Sequence, residues 1–293
     1  MTDANEADPE RLRYMAGIGN WEVFDAAGLD LDMVHTAADG WREDLGGVEQ
    51  GWLCWNVNDD WCLVQQKIVQ SFGWTPIVGF DPRVGPPKQL TSEAVLVDFN
   101  KRLQLPNMFL YIPMEFAFLF CKKLAFWHSD LLIRPSKMQV LSDRFAALEN
   151  GDIAVTGAWY NPRSLLKPKE ARFWELIGCT TEKASRDQFE TGCGWWMNFY
   201  AHPNCPSEKE RKRRKKHYWD HGTGIRYWAR QYRRPIQLIK ERYVEEGHCS
   251  QIKNPNYSRV SPNNELRDLS KDITHNFQLE EVCKRLGLED FCC

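Results

Sequence analysis

The sequence lacks a long apolar run and a strong excess of charge of either sign. No stretch of about 18 or more apolar residues occurs among its 293 residues, so no segment is predicted to cross a membrane. The formal net charge is −2 at pH 7, which gives no overall attraction to nucleic acid or to an anionic surface. We therefore expect no integral membrane segment and no nucleic-acid partner.

Paired cysteine motifs are also missing. The chain has ten cysteines, but none is spaced as Cys-x-x-Cys or as a Cys/His zinc site. The first ten residues are polar and acidic, without the apolar segment of a secretory signal. We therefore expect a cytoplasmic protein with free thiols, and a disordered terminus at Cys292 and Cys293.

Residues 122–133 carry the most informative pattern, an apolar run that ends in the polar cluster His128, Ser129 and Asp130. The run has the length of a buried strand and is too short for a core helix. A carboxylate at the carboxyl end of a buried strand lies where open α/β sheets bind their ligands. Pro135 then begins a predicted amphipathic helix, and a turn and strand follow at 150–159.

The unit before this run predicts a parallel sheet. Residues 51–58 form an apolar strand ending in amides, and 74–81 form a second strand. Between them, Asp59 or Asp60 is expected to cap a helix that Gly73 ends. Strand–helix–strand with short connections indicates an α/β fold. The apolar stripe of this helix comprises Trp61, Val64, Ile68, Val69 and Phe72.

The rest of the chain is predicted to add elements around this core and to divide into three parts. Residues 1–46 form a helical extension, 47–252 the main domain, and 253–293 a loop and helix packed on it. The further predicted elements are helices at 93–102, 114–121, 168–177, 228–234 and 279–286, and strands at 107–113 and 190–203.

The segment around His128-Ser129-Asp130 resembles the metal-binding segment of nucleotide-sugar-dependent glycosyltransferases of the GT-A fold, in which a strand ends in Asp-x-Asp. The resemblance covers roughly residues 50–250. It implies a GT-A-like mixed, mostly parallel sheet flanked by helices. It also implies that Asp130 holds a divalent cation, Mn²⁺ or Mg²⁺, on the diphosphate of the donor. His128 departs from the pattern, because it stands where the family usually has its first acid. His128 is expected either to contact ribose or phosphate or to coordinate a transition ion. A metal-independent form of the enzyme remains an alternative.

The same resemblance implies roles for other residues. Asn56 and Asp81 end the first two strands and would bind the nucleoside, although Asp81 would equally cap a loop. Trp195 and Trp196 lie in the segment that faces the acceptor sugar. Neighbouring residues of a strand point to opposite faces, so at most one of these two rings lines the acceptor.

The catalytic base and the remaining metal ligands are expected late in the chain. Asp220 lies where inverting enzymes of this fold keep the acid that deprotonates the acceptor hydroxyl, and Glu190 is the competing base. A helix cap is the alternative role for Asp220. His248 resembles the downstream histidine that completes the metal site, and His221 is a second candidate.

The predicted function is transfer of a sugar from a nucleotide-diphosphate donor to a hydroxyl of a glycan, lipid-linked sugar or protein, metal-assisted and inverting. Two alternatives stay open. A sugar nucleotidyltransferase would open with a Gly-rich phosphate loop after the first strand, which 51–60 lacks. A non-catalytic nucleotide- or glycan-binding protein is favoured by His128 in place of an acid. The basic run at 208–216 is either a solvated loop or a contact to the diphosphate or to an anionic acceptor.

Overall fold

Seven strands form one sheet in the computed structural model, which describes residues 28–82, 84–105, 108, 110–156, 173–195, 199–217, 222–239, 246–248 and 279–292. The strands are β1 (Gln50–Asn56), β2 (Thr75–Phe80), β3 (Val95–Leu96), β4 (Lys123–Trp127), β5 (Ile153–Thr156), β6 (Trp174–Thr181) and β7 (Ile236–Ile239). The helices are α1 (Leu31–Leu45), α2 (Asp59–Ser71), α3 (Tyr111–Glu115), α4 (Pro135–Ala146), α5 (Glu182–Glu190), α6 (Glu208–Arg214), α7 (Thr223–Gln231) and α8 (Leu279–Leu286). Short 3₁₀ turns occur at Ala117–Leu119 and Glu289–Phe291.

The sheet is mixed and mostly parallel, with the order β3-β2-β1-β4-β6-β5-β7. β1 runs parallel to β2 and β4, β2 to β3, and β5 to β7, whereas β6 is antiparallel to both β4 and β5. The predicted α/β class, with a mostly parallel sheet flanked by helices, is confirmed at this level. From β1 the chain first extends the sheet on one side through β2, and β4 later adds on the other side. The carboxyl ends of β1 and β4 therefore adjoin at a topological switch point.

Both faces of the central strands β1 and β4 are buried, which explains why their sequences are almost uninterruptedly apolar. Along β1, Leu53 and Trp55 point into a core formed with α1, α3, α5 and α7. The alternate residues Trp52 and Cys54 point into a second core formed with α2, α4 and α8. In this second core the ring of Trp52 lies 5.2–5.5 Å from three other aromatic rings, which fix α4 behind β4. Those rings are Trp74, Trp127 and Phe145.

The first strand–helix–strand unit has the predicted layout with a different cap. Asn58, not Asp59 or Asp60, caps α2: its side-chain oxygen accepts from the backbone N–H groups of Asp60 and Trp61 at 3.1 and 3.2 Å. Gly73, with φ of 78°, follows the end of the helix as predicted. The predicted apolar stripe is buried except for Phe72, which is partly buried against the second core.

Several predicted elements are wrong because strand pairing and packing override local preference. Residues 93–102 form turns and the two-residue β3 in place of a helix, and the Val97 N–H donates to the Val78 carbonyl at the edge of β2. Residues 111–113 begin α3 where a strand was expected. Residues 174–177 pair as part of β6, so the helix predicted there is wrong over these positions.

The aromatic strand predicted over 190–203 is also wrong where the structure describes it. Glu190 is the last residue of α5, 191–192 and 199–201 are turns, and 193–195 are irregular. The predicted helix at 279–286 is confirmed as α8, and the 228–234 helix is confirmed as the end of α7, which stops at Gln231. No helix of the described part of the chain is long and apolar enough to cross a membrane.

The cysteines differ from expectation at one point. Cys283 and Cys292 form a disulfide bond, so Cys292 is neither a free thiol nor part of a disordered terminus. Six other described cysteines are free, and burial raises the pKa of Cys62, Cys121 and Cys193 to about 12.

α1 contributes Val34, Trp41 and other side chains to the first core. The division at 46 and 252 remains a prediction.

Candidate metal centre at the carboxyl end of β4

A tight turn follows β4 and carries the predicted polar cluster. The His128 N–H donates to the Leu176 carbonyl of β6 at 2.9 Å, which continues the sheet by one residue. The Leu131 N–H then donates to the His128 carbonyl at 3.1 Å and closes the turn 128–131. The turn places His128 and Asp130 together at the switch-point edge of the sheet.

Gln65 of α2 holds this turn from the second core. Its side chain is fully buried, and its Nε2 donates to the carbonyls of His128 and Leu131 at 2.8 and 2.9 Å. A buried amide that satisfies two carbonyls fixes the backbone on both sides of Asp130. No motif in the sequence singles out Gln65. Its only signal is a polar residue beside the apolar stripe of α2.

A short segment, 246–248, brings His248 to the same place. Leu131 and His248 form an antiparallel bridge, and the Leu132 N–H donates to the Gly247 carbonyl at 3.1 Å. A Cβ at Gly247 would lie 1.7 Å from the Leu132 carbonyl oxygen, so this close approach requires glycine. The segment is therefore held tightly against the chain that follows Asp130.

Two arginine side chains hydrogen-bond to Glu246, the first residue of this segment. Arg134, just before α4, pairs with the Glu246 carboxylate at 2.8 and 3.0 Å. Arg285 of α8 donates to the Glu246 carbonyl at 3.1 Å. The carboxyl-terminal helix thus supports the position of His248.

The three side chains His128, Asp130 and His248, which we call the edge cluster, converge on one carboxylate oxygen. Asp130 Oδ1 lies 3.7 Å from His128 Nδ1 and 3.4 Å from His248 Nε2. The two imidazole centroids are 5.8 Å apart, and the side chains are 11–19% exposed. On its other side, His128 Nε2 lies 3.5 Å from the hydroxyl of Tyr111.

The edge cluster could hold a metal ion, because one ligand atom from each side chain lies within 4.8 Å of the others. Ligands about 2.1 Å from a shared ion are about 3.0–3.4 Å apart at octahedral or tetrahedral angles. The separations of 3.4 and 3.7 Å are therefore near those of a bound site. This fits a divalent cation and does not identify it. Of the predicted metal ligands, Asp130 and His248 come together. His128, predicted either to contact ribose or phosphate or to coordinate a transition ion, joins them.

Asn56 and Asp81 lie at the carboxyl ends of β1 and β2, as predicted, and both are fully buried. Asp81 Oδ2 accepts from the Met108 N–H at 3.0 Å. Asn56 Nδ2 donates to the Gly85 carbonyl at 3.1 Å, while Asn56 Oδ1 has no hydrogen-bond partner within the described residues. The Asn56 contact fixes the loop after β2, and the Asp81 contact joins the end of β2 to the segment before α3. The nucleoside roles of the two residues stay predictions.

The predicted acceptor and base residues are only partly described. Trp195 is buried and meets Phe126 edge-on at 4.9 Å between ring centroids, so its ring lies in the core. Glu190 is exposed at the end of α5, and Ser129 is half-buried in the turn. Trp196, Asp220 and His221 lie outside the described residues, and their roles remain predictions.

The basic run contains one fully buried side chain. Arg214, at the end of α6, is fully buried and donates to the carbonyls of Thr191 at 2.7 Å and Phe199 at 2.9 Å, and also to Gly192. Five bases of the run, such as Lys212, are exposed. Arg214 therefore closes the loops around Trp195 and is not available to a ligand.

Fold and site together define an α/β protein with a candidate divalent-metal centre at a switch point of its sheet. No family model, curated protein or solved structure matches the chain.

Proposed function

We propose that this protein is a metal-assisted glycosyltransferase that uses a nucleotide-diphosphate sugar. The observation that carries the proposal is the edge cluster, which gathers one carboxylate and two imidazoles at the carboxyl end of the central strand β4. Ligands of open α/β sheets bind in the crevice outside such strand ends. The mostly parallel sheet with a reversed strand beside β4 supports the resemblance to GT-A transferases.

The chain's own residues would divide the work as follows. His128, Asp130 and His248 would hold a divalent cation, and Gln65 keeps the turn that carries two of them in place. When bound, the cation supplies positive charge against the negative charge that develops on the leaving diphosphate.

The remaining roles, binding the donor and activating the acceptor, would fall to Asn56 at the end of β1 and to residues predicted from the sequence. Asn56 Oδ1, buried and without a hydrogen-bond partner among the described residues, offers an acceptor for an N–H or hydroxyl of the donor. Asp220, or Glu190 in its place, would take the proton of the acceptor hydroxyl as that oxygen attacks the anomeric carbon. Trp196 would stack on the acceptor ring.

The test begins with binding. Thermal unfolding of the full chain is measured with Mn²⁺ or Mg²⁺, with a panel of nucleoside diphosphates, and with both together. The proposal predicts stabilisation by one nucleoside that depends on the metal. The corresponding nucleotide sugars are then tested for release of nucleoside diphosphate, alone and with sugar acceptors.

Variants separate the roles. Asp220→Asn is expected to bind the nucleotide and lose transfer, while Glu190→Gln retains both; the reverse pattern would make Glu190 the base. Absence of any metal-dependent nucleotide binding at millimolar ligand would rule out the metal-assisted transferase.

A non-catalytic nucleotide- or glycan-binding protein is the second candidate, and one observation favours it: an imidazole, His128, occupies the position of an acid. Such a protein would show the same metal-dependent stabilisation without releasing nucleoside diphosphate. Release of the diphosphate that requires an acceptor would reject it.

A further inference from the structure

We propose that His128 is itself a metal ligand through Nδ1, and that the edge cluster selects a divalent transition ion of the Mn²⁺, Fe²⁺, Co²⁺ or Zn²⁺ class over Mg²⁺ and Ca²⁺. The inference rests on the proposed function only in placing the cation of that function in this cluster. It assigns the ligand atom and the class of ion.

The orientation of the His128 ring is the first argument. Its Nδ1 faces Asp130 Oδ1 at 3.7 Å, and its Nε2 faces the Tyr111 hydroxyl at 3.5 Å on the opposite side. An imidazole that binds a metal through one nitrogen usually gives the N–H of the other to an oxygen, which fixes the tautomer. Tyr111, itself buried, supplies that oxygen. In the tautomer that donates from Nε2, the Nδ1 lone pair is directed toward the carboxylate of Asp130.

The second imidazole approaches the same oxygen from a separate segment. His248 Nε2 lies 3.4 Å from Asp130 Oδ1, and the bridge between Leu131 and His248 fixes its backbone. Two rings from distant parts of the chain therefore present nitrogens to one carboxylate oxygen. A simple ion pair needs only one of them.

The donor set decides the class of ion. Mg²⁺ and Ca²⁺ take six or more oxygen ligands, and Mg²⁺ keeps several waters. Imidazole nitrogen suits zinc, iron, copper and nickel. Mn²⁺ prefers oxygen ligands, but as the softer ion it binds imidazole more readily than Mg²⁺ does. With two nitrogens and one carboxylate, the edge cluster offers hard ions a single anionic oxygen. A strand end with two acids would offer two, so His128 in place of an acid moves the preference toward transition ions.

The charge of the cluster has a further consequence. One carboxylate against a dication leaves a net charge of about +1 if both imidazoles are neutral, as ligation requires. The remaining positions of the ion then favour an anionic oxygen ligand such as a phosphate. Metal and diphosphate should therefore strengthen each other's binding by the same factor.

Metal binding to the full chain tests the proposal without any assay of turnover. Dissociation constants for Mn²⁺, Co²⁺ and Mg²⁺ are measured by calorimetry, and the visible absorption of bound Co²⁺ reports nitrogen ligation. We expect Mn²⁺ and Co²⁺ to bind at least about tenfold more tightly than Mg²⁺, and His128→Asn to weaken Mn²⁺ by at least about tenfold. His128→Asp should move the Mn²⁺ to Mg²⁺ affinity ratio toward Mg²⁺.

His35 provides the matched control, because it is an exposed histidine on α1, and His35→Asn should leave every constant unchanged. Thermal unfolding confirms that each variant is folded. Equal affinity for Mg²⁺ and Mn²⁺, or unchanged Mn²⁺ affinity in His128→Asn, would overturn the proposal. Sugar transfer supported best by Mg²⁺ would reject this inference and keep the proposed function. The expected metal selectivity without any nucleotide binding would support this inference and reject the proposed function.

Discussion

Among the described residues, histidine nitrogens face a carboxylate in two places, and the surroundings of the two places differ. In the edge cluster, His128 and His248 approach Asp130, and all three side chains are partly exposed. In the second place, which we call the core pair, His202 Nε2 lies 3.2 Å from Glu115 Oε1 with both side chains fully buried. The other nitrogen of His202 accepts from the Asn204 N–H at 3.1 Å. The same residue types therefore form one assembly open to solvent and one closed inside the core.

The difference indicates different roles. Both ring nitrogens of the core pair are used internally, so the pair stabilises the fold around Gly194, where a Cβ would clash with the Glu115 carboxylate. In the edge cluster two imidazole nitrogens lie 3.4 and 3.7 Å from one oxygen of Asp130, at the open end of the sheet. Ligand binding is expected only of the edge cluster.

Asp130→Asn should give the largest effect on the ligand side of this comparison. Losing a residue that merely supports a ligand costs about 10–100-fold in metal affinity, so removal of the only carboxylate of the cluster should cost at least about 100-fold. We expect Mn²⁺ no longer to raise the melting temperature, while the circular dichroism spectrum is unchanged. Retained Mn²⁺ binding would show that the edge cluster is not the metal site, and the two assemblies would then not differ in role.

Glu115→Leu should give the converse result in the core. The substitution leaves the buried His202 N–H without its acceptor, and such a group costs about 1–3 kcal/mol. Urea denaturation should show this loss of unfolding free energy, and Mn²⁺ binding should be unchanged. Glu115→Gln keeps an acceptor oxygen and is the matched control, with a smaller loss. Weakened metal binding in Glu115→Leu would show that the two assemblies are coupled.

Gly247→Ala tests whether backbone fit controls the edge cluster. The added methyl would meet the Leu132 carbonyl, so the 246–248 segment and His248 must shift away from Asp130. We expect Mn²⁺ affinity to fall by about tenfold, as for the loss of a supporting contact. Gly40→Ala is the control, because its methyl meets only the movable side chain of Arg102 and should leave Mn²⁺ affinity unchanged. Unchanged Mn²⁺ affinity in Gly247→Ala would show that His248 does not contribute to metal binding.

Local sequence patterns predicted part of this arrangement. β4, the turn with Asp130, and the helix begun by Pro135 follow from an apolar run, a polar strand end and a proline, and all three are found. His248 was expected as a metal ligand from the resemblance, and the structure places it beside Asp130.

Other features depend on contacts between distant segments, which no local pattern contains. Gln65 looks like an ordinary helix residue until the turn at 128–131 lies against it. The role of Gly247 comes from its approach to Leu132. The helix expected at 93–102 failed for a related reason, because Val95 and Leu96 pair with the edge of β2.

The smallest expected effect concerns pH and the core pair. Burial lowers the pKa of His202 below its ordinary value of 6.5, although the hydrogen bond to Glu115 acts in the opposite direction. Between the folded pKa and 6.5 the unfolded chain therefore binds more protons than the folded chain. Unfolding free energy must rise with pH across this window, so the contribution is complete above 6.5 and is lost as pH falls.

Urea denaturation of the wild type and His202→Gln between pH 5 and 8 isolates this contribution, because the other titrating groups are common to both proteins. The wild type should lose more stability than the variant on acidification, by at most about 1.4 kcal/mol per pH unit. Mn²⁺ should leave this difference in slope unchanged, since the ion binds at the edge cluster and not at the core pair. Parallel pH curves would mean that His202 is not held neutral by burial, and the contrast between a closed and an open histidine–carboxylate assembly would lose its electrostatic basis.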